Sequence, residues 1–213
     1  MSHLKRIAMP KSWPIQRTGT KYIAKARPGR KTEFSIPILI VLRDMLKLAD
    51  TKNEIRKIIS MKEILVNGKT ISDYKFPLGL FDVIAINSIG KSYKIIFSNG
   101  KMNAEETKEA DKKVCKVIGK KILNGKKQQI NLFDGGNVLS NEKIKVNDSV
   151  VLSLKDKKIS RVIPLKEKAN VYIMGGKHIG EKGAIEKIEG NQAIVKIGKH
   201  DVNIKLNNIF VIE

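Results

Sequence analysis

The placement of histidine, cysteine and carboxylate side chains bounds any covalent chemistry this chain could do. His3, His178 and His200 stand apart, without cysteine or carboxylate partners at metal-ligand spacing. Cys115 is the single cysteine. In Lys-Val-Cys-Lys-Val it alternates like a small core residue on a strand, which fits a reducing compartment. No Gly-x-Ser-x-Gly nucleophile turn occurs, and the carboxylates are scattered among lysines as surface pairs. The run Gly175-Gly176-Lys177-His178-Ile179-Gly180-Glu181-Lys182-Gly183 invites comparison with a phosphate-binding P-loop. That motif needs a lysine directly after its second glycine and then a helix; here Glu181 follows Gly180 and the sequence goes on to alternate like a strand. The P-loop reading is set aside, and no catalytic residue, metal site, cofactor or small-molecule substrate is expected.

What the side chains offer instead is ionic. Forty-two Lys and Arg against twenty-one Asp and Glu give a net charge of +21, far beyond what solubility requires, and this implies a polyanionic partner. The charge is uneven: residues 1–31 hold nine basic residues and no acid, and residues 91–165 hold seventeen basic against eight acidic. Eleven aromatic residues among 213 argue against a broad platform stacking single-stranded bases, so phosphate contacts and shape should dominate. The length and the turn-rich sequence after residue 90 predict two or three small modules.

The first element that must position these cations is residues 1–34, read as a basic extended arm. Lys5, Arg6, Lys11, Arg17, Lys21, Lys25, Arg27, Arg30 and Lys31 are interleaved with Trp13, Tyr22 and three prolines and show no sustained period. Ordering such a segment costs roughly 1–2 kcal/mol per residue in backbone entropy. The arm is therefore expected to be disordered in the free protein and ordered only on its partner. Trp13, its one large apolar anchor, suits either stacking on a base or packing on the protein's own surface.

Residues 35–90 carry the most consistent local signals. Ser35 as N-cap, Pro37 in the first turn, and Ile38, Val41, Leu42, Met45 and Leu48 at helical spacing predict a helix ending near Asp50. Thr51-Lys52-Asn53-Glu54 is a capping box opening a second helix. Its buried side is Ile55, Ile58 and Ile59, with Arg56, Lys57 and Lys62 outward. Ile64 to Val66, the type I′ turn Asn67-Gly68 and Thr70 to Ser72 form a hairpin, and Phe76 to Ile86 reads as a turn into another strand.

From Gly90 the period becomes alternating. Residues 91–167 are read as a central antiparallel β-domain, curled into a barrel, with turns at Ser98–Lys101, Asn124-Gly125 and Asp134–Asn137 and a short surface helix over Ala104–Lys113. Lysines 112, 113, 116, 120, 121, 126 and 127 cluster at its middle as a further cationic surface. Residues 168–213 are a last β-module, with strands at Val171–Met174, from Ala184, at Gln192–Ile197 and at Val202–Leu206. The longest uncharged apolar run, Ile36 to Leu42, contains a proline and is too short to span a bilayer. With no secretory signal, and with Pro10, Pro14, Gly19, Pro28 and Gly29 interrupting any presequence helix, a cytoplasmic protein without membrane contact is expected.

Three stretches carry a family likeness. The order helix, helix, Ile-Leu-Val-Asn-Gly-Lys hairpin, then Gly79 and Asp82 before an apolar strand resembles the alpha-L RNA-binding motif. His3-Leu4-Lys5-Arg6-Ile7-Ala8, Pro10-Lys11, Trp13 and Arg27-Pro28-Gly29, followed by Gly79, Asp82, Val83 and Ile84, resemble the small-subunit ribosomal protein family S4e of archaea and eukaryotes. Gly176, Gly180, Gly183 and Ile185 resemble the KOW motif of small SH3-like barrels. The resemblance implies an α+β multi-module fold: N-terminal basic extension, alpha-L motif, central antiparallel β-domain and C-terminal KOW β-barrel. It also implies a non-enzymatic protein of the ribosome, with small-subunit ribosomal RNA and neighbouring ribosomal proteins as partners. The expected RNA contacts are the arm cations and Trp13; Arg43, Lys47, Arg56, Lys57 and Lys69 of the alpha-L unit; and Lys177, His178 and Lys182 of the glycine-rich loop. Lys52, in the first turn of the second helix, is expected to contribute less. Alternatives are an RNA-modifying enzyme carrying an alpha-L module, which would need a catalytic domain this sequence does not display, and a transcription-elongation factor, which rests on the KOW module alone.

Overall fold

A single tryptophan decides what happens to the arm. In the computed structural model, which describes residues 3–123, 128–198 and 200–212, Trp13 is 1% exposed and donates its indole N–H to Ser35 O at 2.9 Å. Strand β1 (Leu4–Lys5) pairs antiparallel with β2 (Tyr22–Ile23). Arg6 braces the loop between them, with Nε donating to Gln16 O at 2.7 Å and Nη1 to the Thr20 hydroxyl at 2.9 Å. The arm is thus ordered on the protein itself, contrary to the expectation of an RNA-dependent extension. Its backbone is held by one buried aromatic and by arginine side chains bonded to carbonyls, an arrangement that leaves no periodicity to read. Trp13 is correspondingly lost as a base-stacking surface.

The arm belongs to the first of two units, Met1–Phe97 with Lys101–Asp111. Here β3 (Ser35–Pro37) precedes helix α1 (Ile38–Ile40), which widens into a π-turn over Val41–Met45. Ser35 is therefore in a strand, Pro37 is the N-cap, and the helix stops well before Asp50. The apolar residues explain the misreading: Ile38, Leu39, Ile40, Val41 and Leu42 are all buried, so the segment is enclosed on every side and has no single face to set a period. Leu46 N–H bonds Val41 O at 2.9 Å, the wide i to i+5 step of the π-turn. The capping box forms as predicted before α2 (Lys52–Ser60): Glu54 N–H donates to the Thr51 hydroxyl, and Thr51 N–H donates to the Glu54 carboxylate. These bonds, the Thr51 side chain first among them, hold the Glu54 carboxyl below its usual pKa.

The sheet of this unit runs on past residue 90. Strands β4 (Ile64–Val66), β5 (Lys69–Thr70), β6 (Pro77–Gly79), β7 (Val83–Ile86), β8 (Lys91–Ser98) and β9 (Lys101–Glu106) follow in sequence. β6 pairs with β3, and the others form one sheet in the order β5-β4-β7-β8-β9. Asn67 and Gly68, with φ of 49° and 73°, make the β4–β5 turn. Residues 91–97 and 101–106, assigned from sequence to the central domain, thus belong to the first unit. The helix expected over Ala104–Lys113 is instead β9 and the chain leaving it. Burial of Ile95, Phe97 and Met102 and the cross-strand pair Lys91–Glu106 at 3.1 Å outweigh the local preference of a Glu- and Lys-rich segment.

Asp82 ties this unit together. Its carboxylate is fully buried and accepts from Gly79 N–H at 2.8 Å, Asn67 Nδ2 at 2.9 Å and both terminal nitrogens of Arg30. Asn67 Oδ1 in turn accepts from Val83 N–H at 3.0 Å. Any Cβ at position 79 would run into the Arg30 guanidinium, which gives Gly79 its reason.

The second unit is Ser98–Gly100 with Lys112–Glu213. Strands β10 (Lys112–Ile122), β11 (Gln128–Leu132), β12 (Asn137–Ser140), β13 (Ser149–Ser153) and β14 (Ile159–Ile163) form an antiparallel sheet ordered β12-β11-β10-β13-β14. β10 pairs with β13 through its first half and with β11 through its second, with a register shift between Val117 and Gly119. Cys115 is buried with Val117, Ile130, Ile144 and Val150, as its alternation predicts. The turn expected at Asn124-Gly125, with Lys126 and Lys127, lies outside the described residues. Strands β15 (Asn170–Ile173), β16 (Lys182–Glu189), β17 (Gln192–Ile197), β18 (His200–Lys205) and β19 (Ile209–Val211) form a second antiparallel sheet ordered β18-β17-β16-β15-β19. Its core is Val171, Ile173, Ile185, Val195, Ile209 and Val211, and Ile163 and Leu165 from the preceding segment pack against it.

Two variants test the first unit in the absence of RNA. Asp82→Ala strands the Arg30 guanidinium, whose side chain is 13% exposed, and should cost about 3–5 kcal/mol in denaturant unfolding; an unchanged midpoint would remove Asp82 from this role. Gly68→Val puts a β-branched residue at positive φ and should lower stability by about 1–2 kcal/mol, and unchanged thermal unfolding would reject the turn.

Candidate nucleic-acid interface

The predicted RNA contacts include exposed cations and others, some of them also exposed, that are bonded to the protein's own groups. Lys5, Lys11 and Lys31 of the arm are exposed. So are Lys47, Arg56, Lys57 and Lys69, and Lys177 and Lys182 of the glycine-rich loop. Lys21 and Lys25 are also exposed, Lys21 lying 5.5 Å from the Tyr22 ring centroid. Other members are engaged. Arg30 is bound to Asp82, Arg27 pairs with Asp73, and Arg17 donates to Ile7 O and Met9 O at 3.3 and 3.0 Å. Arg6 braces the arm loop, and Arg43 forks onto the adjacent Asp44, the closest approach being 2.9 Å. His178 Nδ1 lies 3.0 Å from the Glu181 carboxylate.

Two members of the central lysine cluster are withdrawn from the surface altogether. Lys113 is buried and pairs with Asp134 at 2.6 Å. Lys116 is buried and donates to three carbonyl oxygens, Leu206 at 2.6 Å, Ile209 at 2.7 Å and Asn207 at 3.1 Å. Burial pushes its pKa down to about 8, so at neutral pH it is still an ammonium, with one acceptor for each proton. It fastens the β10 sheet to the C-terminal sheet. The expected cationic surface over Lys113 and Lys116 is therefore a correction: these two side chains hold the unit together.

Sequence reasoning missed one grouping. Tyr74 sits beneath three cations, with Lys52 Nζ 4.5 Å, Lys75 Nζ 5.7 Å and the Arg56 guanidinium 5.8 Å from its ring centroid. The sequence marks Lys52 as a lesser contributor, and Tyr74 and Lys75 carry no motif. Their only signal was adjacency to Phe76, read as a turn. In the glycine-rich loop, Gly176 and Gly180 take φ of 100° and 93°, where a Cβ would be strained, and this shapes the exposed turn that presents Lys177. Among the described residues no group of three or more His, Cys, Asp or Glu could hold a metal ion, and no helix is long and apolar enough to cross a membrane.

Three family models match successive parts of the chain: the RS4NT domain over residues 2–29, the S4 domain over 37–84, and ribosomal family S4e over 89–159. An S4 domain behind a basic arm defines the class as RNA-binding. The small ribosomal subunit protein eS4 of Archaeoglobus fulgidus is 43% identical over 185 residues, covering 86% of this chain and 79% of that protein. The eS4 protein of Methanothermobacter thermautotrophicus is 36% identical over 221 residues, covering 99% and 91%. The crystal structure of the 30S ribosomal protein S4e from Thermoplasma acidophilum matches with a TM-score of 0.72 and 32% identity, over 84% of this chain and 94% of that one. The chain belongs to the S4e family of ribosomal proteins.

Lys116 gives a test specific to the second unit. Lys116→Met leaves three carbonyls without their donor and should cost about 1–3 kcal/mol at neutral pH. A lysine pKa lowered on folding means that the unfolded chain holds the proton more firmly. The wild-type stability should therefore rise as pH goes from about 8 towards 10.5 by an increment that the variant lacks. Parallel pH profiles for the two proteins in chemical denaturation would contradict this assignment.

Proposed function

We propose that this chain is a structural constituent of the small ribosomal subunit. In this reading it binds and stabilises folded ribosomal RNA, with neighbouring small-subunit proteins as its other partners, and performs no catalysis. The observation that carries the reading is the likeness to eS4 along 99% of the chain, arm included. The exposed cations support it. The arm presents Lys5, Lys11 and Lys31, the S4 domain presents Lys47, Arg56, Lys57 and Lys69, the loop between β15 and β16 presents Lys177, and the start of β16 presents Lys182. The lysine ammonium groups suit phosphate oxygens as point charges, and the Arg56 guanidinium can fork onto a phosphate.

In finer detail, α1, α2 and the β4–β5 hairpin act as an alpha-L RNA-binding motif. The last five strands act as a KOW module, a small SH3-like barrel whose glycine-rich loop touches RNA. The five-strand count and the position of the loop between its first two strands support this assignment. No observation favours the modifying-enzyme or transcription-factor readings.

The whole reading is tested by fractionation: the protein should remain with small-subunit particles after washing, and its recovery with polymerase or free in solution would overturn it. The binding mode is tested by salt. Affinity for ribosomal RNA fragments should fall with a log–log slope of roughly 0.7 to 0.9 per phosphate neutralised, and Lys57→Ala or Lys69→Ala should each flatten it by about one such contact. A slope near zero, or one unchanged in both variants, would place the RNA on another face.

A further inference from the structure

Between the folded-back arm and the helical part of the first unit lies a cleft of about 350 Å³. Five cationic side chains line it: Arg6 and Lys25 from the arm, and Arg43, Lys52 and Lys75 from the opposite side. No carboxylate is among the lining residues, while Arg43 is paired with Asp44 outside it and Arg6 is bonded to Gln16 O and the Thr20 hydroxyl. One part of the wall is apolar, made by Leu4, Ile23 and Leu39, and two tyrosines, Tyr22 and Tyr74, complete it. The Tyr74 hydroxyl pKa is lowered, first by a hydrogen bond with Lys52 and then by the charges of Lys52 and Lys75.

This pairing of surfaces is selective. A cluster of lysines on an open face would serve any phosphate, but here the cations surround a partly apolar hollow with aromatic rings. A nucleotide has the matching character: an apolar, stackable base face and an anionic phosphate. The volume lies in the range of pockets that enclose one small ligand, and a base pair with its stacked neighbours could not enter. The cleft exists only because the arm is ordered on the protein, since Arg6 and Lys25 come from the arm.

We propose that this cleft receives a single unpaired nucleotide extruded from folded RNA, its base against the apolar wall and tyrosines and its phosphate beside Lys52 and Lys75. The inference rests on the RNA-binding reading above and deepens it: one position along the RNA is bound as a nucleotide and not as duplex backbone. It gives Lys52 a part that its place in the sequence concealed.

The experiment uses the full chain and two synthetic RNA hairpins, one fully paired and one identical except for a single bulged 5-iodouridine. The bulged hairpin should bind about tenfold more tightly, the scale of one base stacked on an aromatic ring. On irradiation it should crosslink to the peptide containing Tyr22 or Tyr74. Tyr74→Ala should abolish the preference and Tyr74→Phe should keep it. Lys52→Ala, at an exposed position, should reduce the preference severalfold and keeps the test open if Tyr74→Ala does not fold. Equal affinity for the two hairpins, a crosslink elsewhere, or a preference that survives both Tyr74→Ala and Lys52→Ala would overturn the cleft assignment and leave the RNA-binding reading intact. Failure of the chain to bind either hairpin would overturn both.

Discussion

The first unit depends on one buried carboxylate. Asp82 has no solvent to satisfy it, so each of its acceptor positions must be met by the protein, and the partners come from three separate stretches: Arg30 in the arm, Asn67 in the hairpin turn and Gly79 in the preceding strand. A buried charge is costly unless it is paired and fully hydrogen-bonded. The carboxylate therefore forces arm, turn and strand into one arrangement. Phe81, beside it, takes φ of 61°, and its N–H bonds Ile95 O at 2.8 Å, which brings β8 against the same corner.

From this constraint comes a division of labour among the basic residues of the arm. Its arginines are bonded to the protein's own groups: Arg6, Arg17, Arg27 and Arg30 reach carbonyls, a hydroxyl and two carboxylates, Arg17 and Arg27 from exposed positions. Lys5, Lys11 and Lys31 stay at the surface. The planar guanidinium can serve two acceptors at fixed angles, whereas the strongly hydrated ammonium on its flexible stem gains more by staying in water until a phosphate arrives. Much of the arm's +9 therefore orders the arm, and the rest is displayed by it. In the second unit a lysine takes the internal role, because three converging carbonyls match the three protons of Lys116.

Ordering the arm in advance changes the thermodynamics of binding. A segment that folded only on RNA would lose its backbone entropy at that step, at roughly 1–2 kcal/mol per residue. An arm already held by Trp13 and Arg30 has met that cost during folding, so phosphate contacts made by its lysines count more fully toward affinity. The same ordering creates the cleft, which has no existence in an extended arm.

Features whose cause is local were legible in the residues. The Thr51–Glu54 capping box and the Asn67-Gly68 turn form as read because partners three residues apart, or two residues needing positive φ, carry their own instructions. The alternation that buries Cys115 and the overall basic character were equally plain, as was the family. What the tertiary structure decided are matters of which identical side chain meets which distant partner. Nothing adjacent in sequence distinguishes Arg30 from Arg27, or Lys116 from Lys120, yet one of each pair is enclosed, because the Asp82 carboxylate and the carbonyls of residues 206–209 converge on it from 52 and some 90 positions away. The helix after Ser35 failed for a related reason: a segment buried on all sides shows no face, so its period cannot be read until the elements that surround it are in place.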